Sequence, residues 1–245
     1  MPRPDHAVIA AAGFGSRLGR GHPKCLLEVA GKPLLRWQLD LLTDVPDVRV
    51  VVGFQEDAVT DLARRLRPDV TIVRNPAFAG TSALASYALG GRYVAEPCLF
   101  MDGDIIFDPV TFQAFCERAG DRPLVGYTDA KTQDPVYVDI DEPAQLVRGF
   151  SRTDVSAFEW ANLLCVPGDA LEQGLPGRPA SASTVFEYLR TQLAPVAGLG
   201  AAYLRSYEID RPQDLAVAIA ALAPGGALEP TARIPAQRRA RLPIS

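Results

Sequence analysis

"AAGFGSRLGRGHPKCLLEVAGKPLL", residues 11–35, decides how this chain reads. It grows out of "HAVIAAAG" (6–13), a short apolar run ended by glycine, which predicts a buried parallel strand. Gly13, Gly15 and Gly19 then cluster around Arg17, with Ser16 beside it. Lys24 and Lys32, two of the three lysines in a chain that otherwise uses arginine, follow at once. A glycine-rich turn after a first strand lets backbone N–H groups approach phosphate oxygens, and a helix start adds to that field.

Three readings of this turn compete on spacing alone. A dinucleotide fold wants GxGxxG and an acid at the end of the second strand. Here the spacing is GxGxxxG, and the second apolar run ends Gly53-Phe54-Gln55. A P-loop wants GxxxxGK[ST], but Gly31-Lys32 is followed by Pro33, which has no amide to donate. A glycine turn serving chain geometry alone is the plain alternative.

Outward from the turn, strands and helices alternate. "PLLRWQLDLLTDV" (33–45) carries apolar residues at helical spacing, and "DVRVVVGF" (47–54) reads as a second buried strand. "EDAVTDLARRLRP" (56–68) predicts an amphipathic helix and "DVTIVRNP" (69–76) a third strand. "TSALASYALGGRYV" (81–94) reads as a helix opening on good N-cap types, and "PCLFMDGDIIF" (97–107) as a fourth strand ending in acid. "DPVTFQAFCERAG" (108–120) is a further helix. This rhythm implies βα units on a mainly parallel sheet, with ligands beyond the carboxyl ends of the strands, so Gly13, Asn75 and Asp104 should gather on one edge. After residue 120 the pattern shifts to short alternating strands in "PLVGYTD", "DPVYVDID" and "AQLVRGFSR". A helix in "SASTVFEYLRTQLA" and a strand, turn and last helix in "AYLRSYEIDRPQDLAVAIAAL" complete it.

Bulk properties exclude several classes. Net charge is −4, which gives no basic surface for nucleic acid. No run approaches the roughly 18 apolar residues of a membrane span, and no signal peptide is read at the start, so a cytoplasmic enzyme is expected. Four scattered cysteines without a CxxC pair read as reduced, buried thiols, and two histidines make a histidine-ligated zinc site unpromising.

With Gly13, Gly15, Arg17 and Gly19, then Pro23-Lys24, then Gly31-Lys32-Pro33, the stretch resembles the nucleotidyltransferases of the MobA-like superfamily, which join an NTP to a phosphorylated small molecule. "NPAFAGTSALAS", "FMDGDIIF" and "YEIDRPQDLAVA" keep the order of that family's later marks. The resemblance covers about residues 7–222 and is nearest to small cytidylyltransferases acting on phosphocholine, phosphonates or polyol phosphates. It implies an α/β fold, a Rossmann-like three-layer sandwich of GT-A-like kind, with a mixed-sheet extension for the acceptor. Residues 1–120 would then bind NTP and 121–222 the acceptor, within one nucleotidyltransferase domain spanning 1–222. Residues 223–245, rich in Pro, Gly and Arg, read as a tail.

The resemblance also implies roles. Ala11, Ala12, Gly13, Gly15, Ser16, Gly80, Thr81 and Ser82 would contact the nucleotide, with CTP favoured. Arg17 would grip the leaving phosphates and Lys24 the α-phosphoryl group, since a guanidinium fork suits phosphate and an ammonium offsets transition-state charge. Asp104 and Asp210 would hold Mg²⁺. Asp102, two residues before Asp104, would share its face if both lie on a strand, and is a further metal candidate. Arg152 would receive the acceptor phosphate, while Glu159 and Trp160 would suit a cationic head group. Lys32 reads as a brace, Asp214 as a first-turn helix acid, and Lys131 carries no role. A homodimer is expected by the same resemblance. The alternatives are a sugar 1-phosphate with dTTP, UTP or GTP, a non-catalytic nucleotide-binding regulatory domain, and a molybdopterin-type enzyme whose loop fits less well.

Overall fold

In the computed structural model, residues 4–15, 21–120, 122–174 and 182–222 are described. The strands are β1 His6–Ala10, β2 Glu28–Val29, β3 Lys32–Pro33, β4 Asp47–Val52, β5 Thr71–Arg74, β6 Pro97–Asp102 and β7 Ile105–Phe107, followed by β8 Leu124–Asp129, β9 Tyr137–Asp141, β10 Leu146–Ser151, β11 Phe158–Pro167, β12 Gly200–Tyr203 and β13 Ser206–Glu208. The α-helices are α1 Leu34–Leu41, α2 Glu56–Leu66, α3 Ala83–Gly91, α4 Pro109–Arg118, α5 Val185–Tyr188 and α6 Pro212–Leu222.

Nine strands form one sheet in the order β5-β4-β1-β6-β11-β8-β12-β10-β9. The first four pair in parallel, as the alternation of strand and helix predicts. Beyond β6 the sheet turns mixed, where the sequence leads one to expect a mixed-sheet extension after residue 120. β11 runs antiparallel to both β6 and β8, and only the β12–β8 pair is parallel on that side. The sheet as a whole is mixed, and the second half extends it laterally. The early parallel part follows from chain order, because each helix crossover returns the chain to the same edge.

Alternation along the strands builds two apolar cores. Ala7, Ile9, Val48, Val50 and Val52 face α1, α2 and α4 through Leu35, Leu39, Val59, Ala63, Phe112 and Phe115. Val8, Val51 and Phe100 face α3 and α5 through Leu84, Tyr87, Val185 and Tyr188. α4 starts where Asp108 accepts from Thr111 N at 2.9 Å with Pro109 at the first helical position.

Two departures position the site. The run 97–107 is not one strand. It stops at Asp102, turns through Gly103-Asp104, and β7 leaves the main sheet to pair antiparallel with β13, Glu208 opposite Ile105. A small core of Val29, Leu34, Ile106, Ile209 and Ala218 seats that pair against α6. The helix expected over 181–194 is the short α5 followed by a π-helical segment, Leu189–Leu193. The tail, residues 223–245, lies outside the described residues, and so do Ser16 and Arg17.

Candidate active site

A cavity of about 210 Å³ opens at the carboxyl edge of the parallel strands. Ala10 to Gly13, Gly15, Lys24, Asn75, Thr81, Ser82, Asp102 and Asp104 are among its lining residues, so Gly13, Asn75 and Asp104 do meet on one edge. The two resolved glycines of the turn work differently. Gly15 has φ +63°, and a Cβ there would lie 2.8 Å from His22 O and 3.0 Å from Lys24 Cγ. It is glycine so that the returning chain can press Lys24 inward. A Cβ on Gly13 would meet nothing within 4 Å, so that backbone faces open space.

Lys24 begins a short 3₁₀ turn, Lys24–Leu26, and its side chain is mostly buried. Its Nζ donates to Asp104 Oδ2 at 2.7 Å and to Asp210 Oδ1. Burial works against the ammonium, yet Asp104 and Asp210 more than offset it, and the Lys24 pKa is raised. Lys24 therefore stays charged at neutral pH.

Asp104 follows the break after β6. Gly103 permits that turn, because a Cβ there would sit 2.7 Å from Ala10 O. The Asp104 carbonyl accepts from Ile209 N at 2.9 Å, which ties the turn to the segment after β13. Across the join lie Glu208 and Asp210, two residues apart on one side of an extended segment. Carboxylate oxygens of Asp104, Glu208 and Asp210 all fall within 4.8 Å of one another. Burial raises the Glu208 pKa, and the charges of Asp104, Asp210 and Asp102 add to the rise. Asp214 accepts from Asp210 N and Arg211 N at 3.0 and 2.7 Å, so its first-turn reading extends to holding the Asp210 backbone.

The sequence missed Glu208. The same period-two spacing that picked out Asp102 and Asp104 was present in Glu208-Ile209-Asp210 and would have found it. For Asp102 the inference misled, because the strand ends there and Asp104 lies in the turn. Among the described residues, Asp102 is not in the group of three carboxylates. It accepts from Tyr87 Oη–H at 2.7 Å instead. Burial and the Asp104 charge raise its pKa against that hydrogen bond.

The donor set fits a hard divalent cation. Magnesium prefers oxygen ligands and keeps part of its shell for water and substrate phosphates, and in the three-carboxylate cluster Asp104 and Asp210 pair with the Lys24 ammonium. Cys25 also lines the cavity, but burial pushes its thiol up to about 12, so it is inert. All four cysteines are free and buried, as the sequence predicts.

On the cavity wall built from residues 75–86, buried Asn75 organises the loop. Its Nδ2 donates to Thr81 Oγ1 and Ser86 Oγ at 3.2 Å, and its Oδ1 accepts from Ala77 N at 3.1 Å. Ser82 precedes α3 but makes no side-chain cap. Its hydroxyl donates to Ser183 O at 2.6 Å, joining this loop to the second half of the chain.

The structure places the three acceptor candidates apart from that cavity's lining. Trp160 is 8% exposed in the second core, with Nε1–H donating to Leu163 O at 3.4 Å. Glu159 is buried rather than solvated, accepting from Thr132 N at 3.2 Å and Thr132 Oγ1 at 2.7 Å. It anchors the loop after β8. Exposed Arg152 donates to Asp134 O at 3.2 Å and lies 5.0 Å from the Phe186 ring. Lys131, unassigned from sequence, sits on the loop that Glu159 anchors. It donates to Thr128 Oγ1 at 3.2 Å and lies 5.4 Å from the Tyr207 ring, beside Glu208. Desolvation lowers its pKa despite Glu159, Asp129 and Glu208 nearby. Lys32 is a brace as expected, 3.1 Å from Asp40 and over the Trp37 ring at 4.4 Å.

Residues 7–170 match the MobA-like NTP transferase domain. The chain belongs to that family. It is 31% identical over 176 residues to CMP-5′-(3-aminopropyl)phosphonate synthase from Streptomyces rubellomurinus, covering 65% of this chain and 28% of that protein. It is also 31% identical over 175 residues to the bifunctional protein GlmU of Zymomonas mobilis, covering 68% of this chain and 39% of that protein. The chain thus spans well under half the length of these curated relatives. Among solved structures it resembles the CTP:phosphocholine cytidylyltransferase of Streptococcus pneumoniae, with TM-score 0.73, 18% identity, and 91% and 100% of the two chains covered. The inositol-1-phosphate CTP transferase of T. maritima follows at TM-score 0.71 and 16% identity, covering 87% and 92%. At such identity the likeness speaks for the fold. No helix among the described residues is long and apolar enough to cross a membrane.

Proposed function

We propose that this chain is a Mg²⁺-dependent nucleotidyltransferase that transfers CMP from CTP to a small phosphonate or phosphorylated acceptor, releasing pyrophosphate. The observation that carries the reading is Lys24. A glycine turn presses it against Asp104 and Asp210 at the mouth of a cavity whose other wall is open backbone at Gly13. The family match supports the reaction type. The aminopropylphosphonate synthase, at 31% identity, favours CTP and an aminoalkylphosphonate acceptor.

In this reading the backbone from Ala11 to Gly15 holds the triphosphate, and Ser16 and Arg17, which lie outside the described residues, keep the nucleotide and leaving-phosphate roles that the resemblance implies. Gly80, Thr81 and Ser82 close the nucleoside side. Lys24 offsets charge as the acceptor oxygen approaches the α-phosphorus and the bond to the leaving pyrophosphate breaks. Asp104, Glu208 and Asp210 would hold Mg²⁺, whose chemistry there would be neutralisation of phosphate charge. The attacking phosphonate or phosphate is already ionised at neutral pH, so no side chain has to remove a proton. On the acceptor side, Lys131 meets the anionic group, Glu159 fixes its loop through Thr132, and Arg152 supplies a more distant cation. The packing of Trp160 puts it behind this surface rather than on it.

Pyrophosphate release tests the reading. With Mg²⁺ and CTP, an aminoalkylphosphonate or phosphocholine should support turnover. Turnover only with a sugar 1-phosphate and dTTP, UTP or GTP would replace the acceptor and base assignments. Nucleotide-dependent stabilisation without turnover on any acceptor would favour a regulatory domain.

A further inference from the structure

The acid-bearing turn is held from beneath by a side chain outside every motif. Gln38, on α1, is fully buried, and its Nε2 donates to Asp102 O at 2.5 Å and to Ile105 O at 3.2 Å. One amide thus fastens both ends of the four-residue turn 102–105 that carries Asp104. Its other atom, Oε1, is buried and has no hydrogen-bond partner among the described residues. An unsatisfied buried acceptor costs about 1–3 kcal/mol, so an apolar residue of that size would suit the core better if packing were the only demand on position 38.

We infer that Gln38 is a positioning residue of the divalent-cation site: it fixes the Asp102–Ile105 turn so that the Asp104 carboxylate meets Glu208 and Asp210. This rests on the cation site of the proposed function. The remaining attachments of the turn come from other directions. Gly103 N donates to Ala10 O at 2.9 Å, and Ile209 N donates to the Asp104 carbonyl. With the Gln38 amide gone, the turn keeps its bonds to Ala10, Tyr87 and Ile209 but loses its two hydrogen bonds from α1. The carboxylate then samples a wider range of positions, and a cation site is sensitive to that range, because outer partners of metal ligands typically change affinity by about 10–100-fold.

Gln38→Met keeps length and volume while removing both donors and the orphaned acceptor. Gln38→Glu keeps the shape but presents acceptors to two carbonyls. Mn²⁺ binding to the full chain, followed by electron paramagnetic resonance without substrates, should weaken about tenfold or more in both variants. The melting temperature in chelator should stay near wild type in the Met variant. In turnover, the Mg²⁺ concentration for half-maximal rate should rise, while the KM for CTP at saturating Mg²⁺ holds within about twofold. Mn²⁺ affinity unchanged in Gln38→Met, with wild type binding normally, overturns the inference and leaves the proposed function standing. If wild type binds no Mn²⁺ the cation site falls with it, and pyrophosphate release still decides the reaction separately. If neither variant folds, Gln38 belongs to the core alone and the assignment is overturned.

Discussion

The two edges of the parallel strands handle charge in opposite ways. At the amino edge, cations meet carbonyls, and the Asp47 carboxylate is shared between two of them. Arg49 donates to Asp47 at 2.8 Å and to Gly90 O and Arg92 O at 2.9 and 3.1 Å, where α3 ends. His6 Nδ1 lies 2.9 Å from the same Asp47 carboxylate. Arg67 donates to Leu42 O and Val45 O beyond the end of α1. Helix C-termini carry partial negative charge, and arginines answer it. At the carboxyl edge, three carboxylates crowd round one lysine and the backbone opens to a cavity. The first edge is balanced within the protein; the second is left to be balanced by ligands.

Removing charge should therefore have opposite consequences at the two edges. At the carboxyl edge, Lys24→Ala and Asp104→Asn should each lower kcat/KM by about 10²-fold or more, since one preorganised charge in such a site is commonly worth that much. Asp104→Asn relieves repulsion on Glu208 but also takes a partner from the buried Lys24 ammonium, so its melting temperature in chelator should fall, with Asp210 still holding the lysine. Near wild-type turnover in either variant would break the comparison at its functional end. Adding Mg²⁺ should raise the wild-type melting temperature and leave that of Asp104→Asn nearly unmoved, as binding to the folded state alone stabilises it.

A smaller effect separates the two cations on the acceptor side. Lys131→Ala should raise the acceptor KM by about 10-fold, with the CTP KM steady, which is the size expected of one charge-assisted hydrogen bond of roughly 1.5 kcal/mol. Arg152→Ala should change it less, as Arg152 is exposed and already occupied by Asp134 O and the Phe186 ring. The reverse order would restore Arg152 as the acceptor ligand.

How much of this was legible follows the same division. The parallel half could be read because each strand is short, apolar and closed by Gly, Pro or Asn, and each helix carries its stripe. The strand the sequence did not disclose, β11, is the hinge of the sheet. "FEWANLLCVP" has the apolar content of a strand. Its two-residue alternation breaks at Asn162, which has φ 53°, where the pairing with β8 shifts register. A bulge of that kind hides a strand from periodicity. At the site, Lys24, Asp104 and Asp210 stood out by motif, and the fold brings them together from positions 80 and 186 residues apart. Glu208 carried the same two-residue spacing from Asp210 but sat outside the motif, and the β7–β13 pairing is what brings it to Asp104. Gln38 had no local mark, because its role comes from the packing of α1 under the turn.

The smallest expected effect lies at the balanced edge. Asp47 is partly buried, which works against its charge, but hydrogen bonds from Arg49 and His6 overcome this and hold its pKa below the ordinary 3.8. A carboxyl with a lowered pKa binds fewer protons when folded than when unfolded, so its stabilisation is present above 3.8 and is lost as pH falls through the folded value. Asp47→Asn should therefore lower stability near pH 7 by no more than about 1 kcal/mol, the usual ceiling for a pair that solvent still reaches. The difference from wild type should shrink progressively as pH falls below 3.8, as followed by urea denaturation at a series of pH values. Its kcat and both KM values should match wild type. A loss of activity without a loss of stability would mean that the amino edge reaches the cavity, and the division of labour between the two edges would not hold.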